Sequence, residues 1–269
     1  MLQDLISERL KKLSHLKESK IDPYPARIKR SVVISETRKN FSKLAKSKKK
    51  IAIAGRIVGL RDQGSLLFCD LKDDSGNIQV VLKKDNLKNF TVLKNSLDRG
   101  DHISVSGILF KTKSGQESLE AKEATMISKS TRPIPSEHFG IEEIETKLRK
   151  RYLDILLNPE TKEIFKKKAI FWRTFRDELN QAGFLEVETP VLEPIPGGAE
   201  AEPFKTHLNA LDIDFYLRIS LELPLKKLLV AGYDKVFEIG RNFRNEGIDR
   251  EHLQDYTQLE FYWAYSDYN

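Results

Sequence analysis

Cysteine is almost absent: Cys69 is the one cysteine in 269 residues. That excludes a disulfide framework and a cysteine metal cluster within the chain. Cys69 itself sits in the apolar run Leu66–Leu71, where it reads as a small core residue. No stretch of ~18 apolar residues occurs, so nothing in the sequence spans a membrane. The start, MLQDLISERLKKL, mixes acids with its bases, unlike a signal or transit peptide, and a cytoplasmic protein is the expectation. Internal repeats, zinc-ligand spacings, a P-loop and a GxGxxG motif are also missing.

What is present is charge, unevenly placed. Apolar residues make up 39% and charged residues 32%, the balance of a globular chain with a heavily charged surface. The net charge is +6, yet residues 1–50 hold 15 Lys and Arg against 5 Asp and Glu, so the whole excess lies there. A polyanion held at one end is one reading, and a solvated helix face is the other. At roughly 100–200 residues per domain the length allows two domains with cores.

Hydrophobic spacing changes along the chain. Leu2, Leu5, Ile6, Leu10, Leu13 and Leu16 recur at helical intervals until Asp22-Pro23-Tyr24-Pro25 breaks them. A second helix is expected over 35–47 with Ser35 as its N-cap. From residue 51 the period becomes two. Strands are expected at 51–60, 66–71, 78–82, 101–110 and 118–127, with a helix over 84–96 and turns at Asp73–Gly76 and Lys113–Gly115. Three strands, a helix and two strands is the order of an OB-fold, a small barrel that often binds oligonucleotides. After Arg132-Pro133-Ile134-Pro135, helices are expected at 141–157 and 159–181, with Asn158-Pro159 as a start signal. A strand over 184–190, strand-like stretches at 203–207 and 214–219, a helix over 220–232 and strands at 236–244 and 257–265 follow.

Two segments are more specific than periodicity. Glu238-Ile239-Gly240-Arg241-Asn242-Phe243-Arg244-Asn245-Glu246-Gly247, followed by His252, Tyr256-Thr257 and Glu260, resembles motif 2 of class II aminoacyl-tRNA synthetases. Gly183-Phe184-Leu185-Glu186-Val187-Glu188-Thr189-Pro190 resembles their motif 1. Gly197–His207, Asn209–Asp212 and Tyr216–Ser220 are similar to the lysine-specific branch of that class.

The resemblance implies an α+β fold: an N-terminal OB-fold β-barrel followed by a class II antiparallel-sheet catalytic domain. Residues 1–48 would form a basic helical extension, 49–131 the anticodon-binding barrel and 132–269 the catalytic domain with motifs 1 and 2. The family's glycine-rich third motif lies well over a hundred residues further on, so the sequence ends before it. This chain alone is therefore expected to be inactive, with unpaired strand edges. The implied reaction is ATP-dependent activation of L-lysine to lysyl-adenylate and transfer to tRNA(Lys), with magnesium, in a homodimer built through motif 1. No metal ligand is assigned within these residues.

The implied site residues also make chemical sense. Arg244 would hold the ATP α-phosphate, because a planar guanidinium grips two oxygens at once; the rival is an ion pair with Glu246. Glu246 would accept the adenine amino group. His252 would reach the outer phosphates, or stand free on its loop. Tyr256 would stack on adenine, or pack as a strand aromatic. Glu222, Glu260 and Tyr262 would surround the substrate ammonium, with Ala201 and Phe204 near its α-amino end. Glu260 is independently suspect: a charge inside the apolar strand Leu259–Trp263 is costly without a partner. Its rival place is an outward-facing edge. On the barrel, Phe68 would stack an anticodon base and Gln79 read its edge, although Phe68 could instead be core. Arg56 would touch phosphate or base, and the position at Gln116 and Glu117 stays open. The motif 2 loop departs from the family, reading Leu253-Gln254-Asp255 where asparagine and proline are usual.

Other classes remain: a related aspartyl or asparaginyl enzyme, which two substrate-facing acids argue against, a non-catalytic tRNA-binding module, and a protein-modifying paralogue, which fits poorly because such paralogues generally lack the barrel.

Overall fold

The structure is a computed structural model that describes residues 2–135, 141, 143–247, 249 and 251–268. The chain divides into two compact units that meet in sequence between Leu157 and Asn158. The expected division after Thr131 differs: the short helices up to Leu157 group with the first unit.

In the first unit, helix α1 (Leu2–Glu18) buries Leu16 and Arg9. Leu2, Leu5 and Leu10 of the expected apolar stripe are exposed. The helix is pinned by polar groups instead. The Arg9 guanidinium donates to the carbonyls of Arg99 (2.9 Å), Ser130 (3.2 Å) and Arg132 (3.1 Å), and Lys12 pairs with Asp98 at 2.6 Å. A buried arginine is tolerated only when its donors are satisfied in this way.

The expected helix over 35–47 is two helices, α2 (Ile34–Lys39) and α3 (Phe41–Ser47), broken at Asn40. Ser35 is not its cap. The free amides of Ile34 and Ser35 donate to Asp73 Oδ2 (3.1 Å) and Ser75 Oγ (2.9 Å), side chains of a distant turn.

Strands β1 (Ile51–Gln63), β2 (Leu66–Lys72), β3 (Asn77–Lys83), β4 (His102–Lys111) and β5 (Glu117–Ser128) form a closed barrel in the order β1-β2-β3-β5-β4. Only β3 and β5 run parallel. Alternation fixes the faces: Leu67, Cys69 and Leu71 point into the core, while Leu66, Phe68 and Asp70 are half-buried on the outer face. The expected helix over 84–96 is a 3-10 turn at Lys84–Asn86 and then α4 (Phe90–Ser96). One contiguous core runs from Leu16 of α1 through Ile53, Val80, Leu93 and Leu119 to Met126. Each such side chain contributes roughly 1.5–3 kcal/mol on burial. Helices α5 (Ile144–Arg149) and α6 (Arg151–Leu157) follow, where one helix was expected.

The second unit opens with α7 (Pro159–Gln181), which starts at the expected Asn158-Pro159 and buries none of its residues. The strand expected over 184–190 shrinks to β6 (Leu185–Glu186), because the chain next turns its Thr189 side chain to Glu238 and Pro190 has no amide to pair. β7 (Leu192–Glu193), β8 (Lys205–Leu208) and β9 (Ile213–Leu217) make one antiparallel sheet in the order β7-β9-β8. Helix α8 (Glu222–Val230) packs on a second sheet, in which β10 (Lys235–Phe243) lies between β11 (Asp255–Trp263), antiparallel, and β6, parallel. Its clustered apolar core is small, Leu221, Leu225 and Val236, with Phe237 also fully buried.

Candidate active site and nucleic-acid face

The β10–β11 ribbon places the second unit's chemistry. Its register sets Asn242 opposite Tyr256, Gly240 opposite Gln258, Glu238 opposite Glu260 and Val236 opposite Tyr262. Paired residues share a face, so Tyr256, Gln258, Glu260 and Tyr262 line up on one side.

Arg244 follows β10 directly. Its amide donates to the Gln254 carbonyl (2.9 Å), which closes the loop, and its guanidinium lies 5.4 Å from the centre of the Tyr256 ring. Its Nε points to the Ile219 carbonyl at 3.4 Å, so its contacts run to Ile219 and Tyr256 rather than to Glu246, which is exposed. Four residues beyond Tyr256 on β11, Glu260 Oε1 accepts from Ser220 Oγ and from the Leu221 amide, both at 3.2 Å. Its other oxygen accepts from the Tyr262 hydroxyl at 3.0 Å. The stretch Ile219-Ser220-Leu221 is thus bonded to Arg244 at one end and to Glu260 at the other.

Burial raises the Tyr262 pKa, and the hydrogen bond to Glu260 and the charges of Glu260 and Glu222 add to it. The phenol stays a donor. Glu222, at the start of α8, is half-buried and paired with Lys226 at 2.6 Å. Both acids are partly accessible rather than deeply buried. Gly198 comes up against Glu222 and Ser220: it has φ +86°, and a Cβ there would sit 3.0 Å from both Glu222 Cβ and Ser220 Oγ. The following residues are tied in by backbone, since Phe204 O accepts from the Leu217 amide (2.9 Å) and Glu202 O from the Asn245 amide (2.7 Å). Ala201 and Phe204 are half-buried on that stretch.

His252 is not brought to this cluster by any bond. It is exposed, and its Nδ1 pairs with Asp249 at 2.7 Å. That hydrogen bond, together with larger help from the Glu251 amide, lowers the Asp249 pKa.

On the barrel, Arg61 stands opposite Phe68 and Asp70 opposite Gln79. Arg61 grips Asp70 with two bonds, at 2.8 and 3.2 Å. Gln79 Oε1 accepts from Ser118 Oγ at 2.9 Å, which leaves its amide nitrogen to face outward contacts. Gln79 lines a polar pocket of about 280 Å³ with Arg38, Asp70, Asn77, Gln116 and Glu117. Phe68, half-buried on the outer face, is not core. Arg56 is not brought to them: it lies opposite Lys72 and His102, and its Nη1 donates to the Gly100 carbonyl at 3.3 Å. Burial lowers its pKa and that of His102.

Comparison with known proteins shows what each region is similar to. Residues 143–269 match a family model described as tRNA synthetases class II (D, K and N), and residues 51–127 one described as an OB-fold nucleic acid binding domain. Over residues 143–269 the chain is similar to the class II aminoacyl-tRNA synthetases. It is 44% identical over 266 residues to a lysine–tRNA ligase of Moorella thermoacetica, which covers 98% of this chain and 54% of that protein. It is 42% identical over 275 residues to a lysine–tRNA ligase of Thermotoga maritima, covering 100% and 55%. A lysine–tRNA ligase of Syntrophomonas wolfei is 44% identical over 269 residues, covering 99% and 54%. The chain spans about half the length of the curated relatives it matches.

The structure adds residues that the sequence reading passed over. Ser220 holds Glu260, and Arg61 rather than Arg56 is the arginine next to Phe68. Arg218 and Glu238 form an ion pair at 2.7 Å with side chains 3% and 4% exposed. The signal that marked Glu260 was available for Glu238 too, since it also stands in an apolar strand, Val236-Phe237-Glu238-Ile239.

Proposed function

We propose that the protein is a lysine–tRNA ligase. In the first step the lysine carboxylate attacks the α-phosphorus of ATP, giving lysyl-adenylate and pyrophosphate. In the second a terminal ribose hydroxyl of tRNA(Lys) takes the lysyl group and AMP leaves. Such chemistry needs positioning and charge neutralisation more than a protein nucleophile.

One observation supports the reading above the others: Ile219-Ser220-Leu221 bonds a guanidinium and a carboxylate at its two ends. An aminoacyl adenylate carries a phosphate and, for lysine, a cationic head on an apolar stem. Arg244 would hold the phosphate oxygens, and Tyr256 beside it would stack the adenine. Glu260, kept in place by Ser220 and Tyr262, would meet the ammonium together with Glu222. Ala201 and Phe204 would border the α-amino end. Glu246 and His252 would serve the adenine edge and the outer phosphates once the loop around them takes up ATP. Magnesium would accompany ATP. Among the described residues no group of three metal-ligating side chains is assembled.

Phe68 and Gln79 would take single-stranded anticodon bases on the outer face of the barrel, with Arg56 toward the backbone. The domain roles follow: basic extension, anticodon barrel, catalytic region. A homodimer through motif 1 is part of the same proposal. An apolar groove of about 700 Å³ lined by Pro190, Leu192, Ile195, Leu228 and Tyr233 supports it, as do the exposed Phe165, Phe171 and Phe175 of α7. Sedimentation of the full-length protein at the monomer mass would count against the dimer. A cytoplasmic address completes the proposal, and no described helix is long and apolar enough to cross a membrane.

The test is ATP–pyrophosphate exchange by the full-length protein. Exchange that depends on lysine is expected; exchange with aspartate instead rejects the lysine assignment.

A further inference from the structure

Glu238 and Glu260 stand directly opposite each other across β10 and β11. Like charges in that position repel, yet the two carboxylates have entirely different partners. Glu238 is 3% exposed and Arg218 2%. Arg218 Nη1 lies 2.7 Å from Glu238 Oε1, while Glu238 Oε2 accepts from the Thr189 amide (3.1 Å) and hydroxyl (2.6 Å). The guanidinium has further partners: Nε donates to the Arg241 carbonyl at 2.9 Å, and the same Nη1 to the carbonyl and hydroxyl oxygens of Thr189, each at 3.1 Å.

Packing holds the fork there. A Cβ on Gly240, between Glu238 and Asn242, would overlap the Arg218 guanidinium and the Glu238 carboxylate. Among the described residues Glu260 has no cation partner. Its donors are a hydroxyl, an amide and a phenol, all neutral. Glu222 already has Lys226.

We propose that Arg218 and Glu238 are a specificity-determining positioning pair: Arg218 takes the charge of Glu238 and so leaves Glu260 as the free carboxylate for the cationic head of the amino acid. This rests on the lysine reading above and adds to it the source of the charge balance. Without Glu238, Arg218 loses its carboxylate on the face that Glu260 shares across β10 and β11, and the substrate ammonium must compete there with a built-in guanidinium.

The test uses the full-length protein and lysine-dependent ATP–pyrophosphate exchange. Glu238→Gln keeps size and shape but frees Arg218. Its KM for lysine is expected to rise by about tenfold or more, the scale of one charged hydrogen bond, while its KM for ATP stays within about twofold. A purely structural role would lower the melting temperature and move both constants together or neither. The double variant R218M/E238Q removes both charges, and its lysine KM is expected to fall back toward the wild-type value. Absence of lysine-dependent exchange in the wild type overturns the lysine reading and this proposal with it. Exchange in the wild type, with the E238Q lysine KM within about twofold of it or with both constants raised alike, overturns the proposal alone. A folded double variant no better than E238Q does the same. If the double variant shows no cooperative melting, the contrast between lysine and ATP in E238Q decides.

Discussion

Arg244 owes its assigned role to geometry that a lysine could not reproduce. Its guanidinium sits against the Tyr256 ring and reaches the Ile219 carbonyl through Nε, and among the described residues no hydrogen bond takes its terminal nitrogens, which a phosphate would need for a forked grip. Arg244→Lys keeps the charge and loses the fork. In the full-length protein its kcat/KM for ATP–pyrophosphate exchange is expected to fall on the order of 100-fold, with folding unchanged. A loss of less than about threefold would remove Arg244 from the reaction. At this scale the sequence was informative where a residue type was out of place. A carboxylate within Leu259–Trp263 drew attention to Glu260. Phe68 was harder, because Leu66–Leu71 is apolar on both faces except at Asp70. The phase of that one polar residue, two positions from Phe68, was the legible clue to which face is outer. Arg218 was illegible: nothing near it in sequence shows that its partner lies twenty residues on, across another strand.

Elements whose cause is local were readable in advance, and those closed by distant groups were not. The period of two announced the barrel strands, and Asn158-Pro159 announced α7. The break at Asn40 and the capping of α2 by Asp73 and Ser75 depend on a turn that only the fold brings near. Side-chain clusters on the barrel wall are of the second kind and carry a pH signature. Glu120 on β5 bonds Lys122 at 2.6 Å, Asn86 at 3.1 Å and, closer still, Lys83 of β3. Partial burial pushes its pKa up, but these donors outweigh it and hold the group at about 2. In the unfolded chain a glutamate titrates near ~4.3. The folded pKa is the lower one, so this stabilisation is complete above ~4.3 and disappears as pH falls toward about 2. Glu123, Asp73 and Asp98 are lowered as well, so the wild type loses stability on acidification by several routes. Glu120→Gln is expected to make urea midpoints fall less steeply between pH ~5 and ~2. Equal slopes would mean that Glu120 binds its proton alike in both states.

The whole molecule is two units of different character. The first has a closed barrel around a continuous core, and the second has a small buried core and wide apolar exposure on α7 and around Pro190. The charge is divided as unevenly, because residues 1–50 hold the excess of bases. The structure shows which of those bases are engaged. Lys29 and Lys50 both pair with Glu123, Arg30 pairs with Asp73, and Arg9 is buried against carbonyls. Lys43, Lys46, Lys48 and Lys49, on and after α3, are exposed. They join the barrel's first strand, so a solvated helix face and a polyanion site make different predictions for the same side chains. If they meet phosphates, binding of an anticodon stem-loop releases counterions, and log K falls with log salt by roughly 0.7–0.9 per contact. Replacing Lys46, Lys48 and Lys49 by serine is then expected to weaken binding and flatten that slope by about two units, while leaving the preference among anticodon bases intact. Base preference would instead change in Gln79→Ala, which removes an edge reader and no charge. A triple variant with an unaltered slope would assign the exposed lysines to solubility and leave RNA binding to the outer face of the barrel.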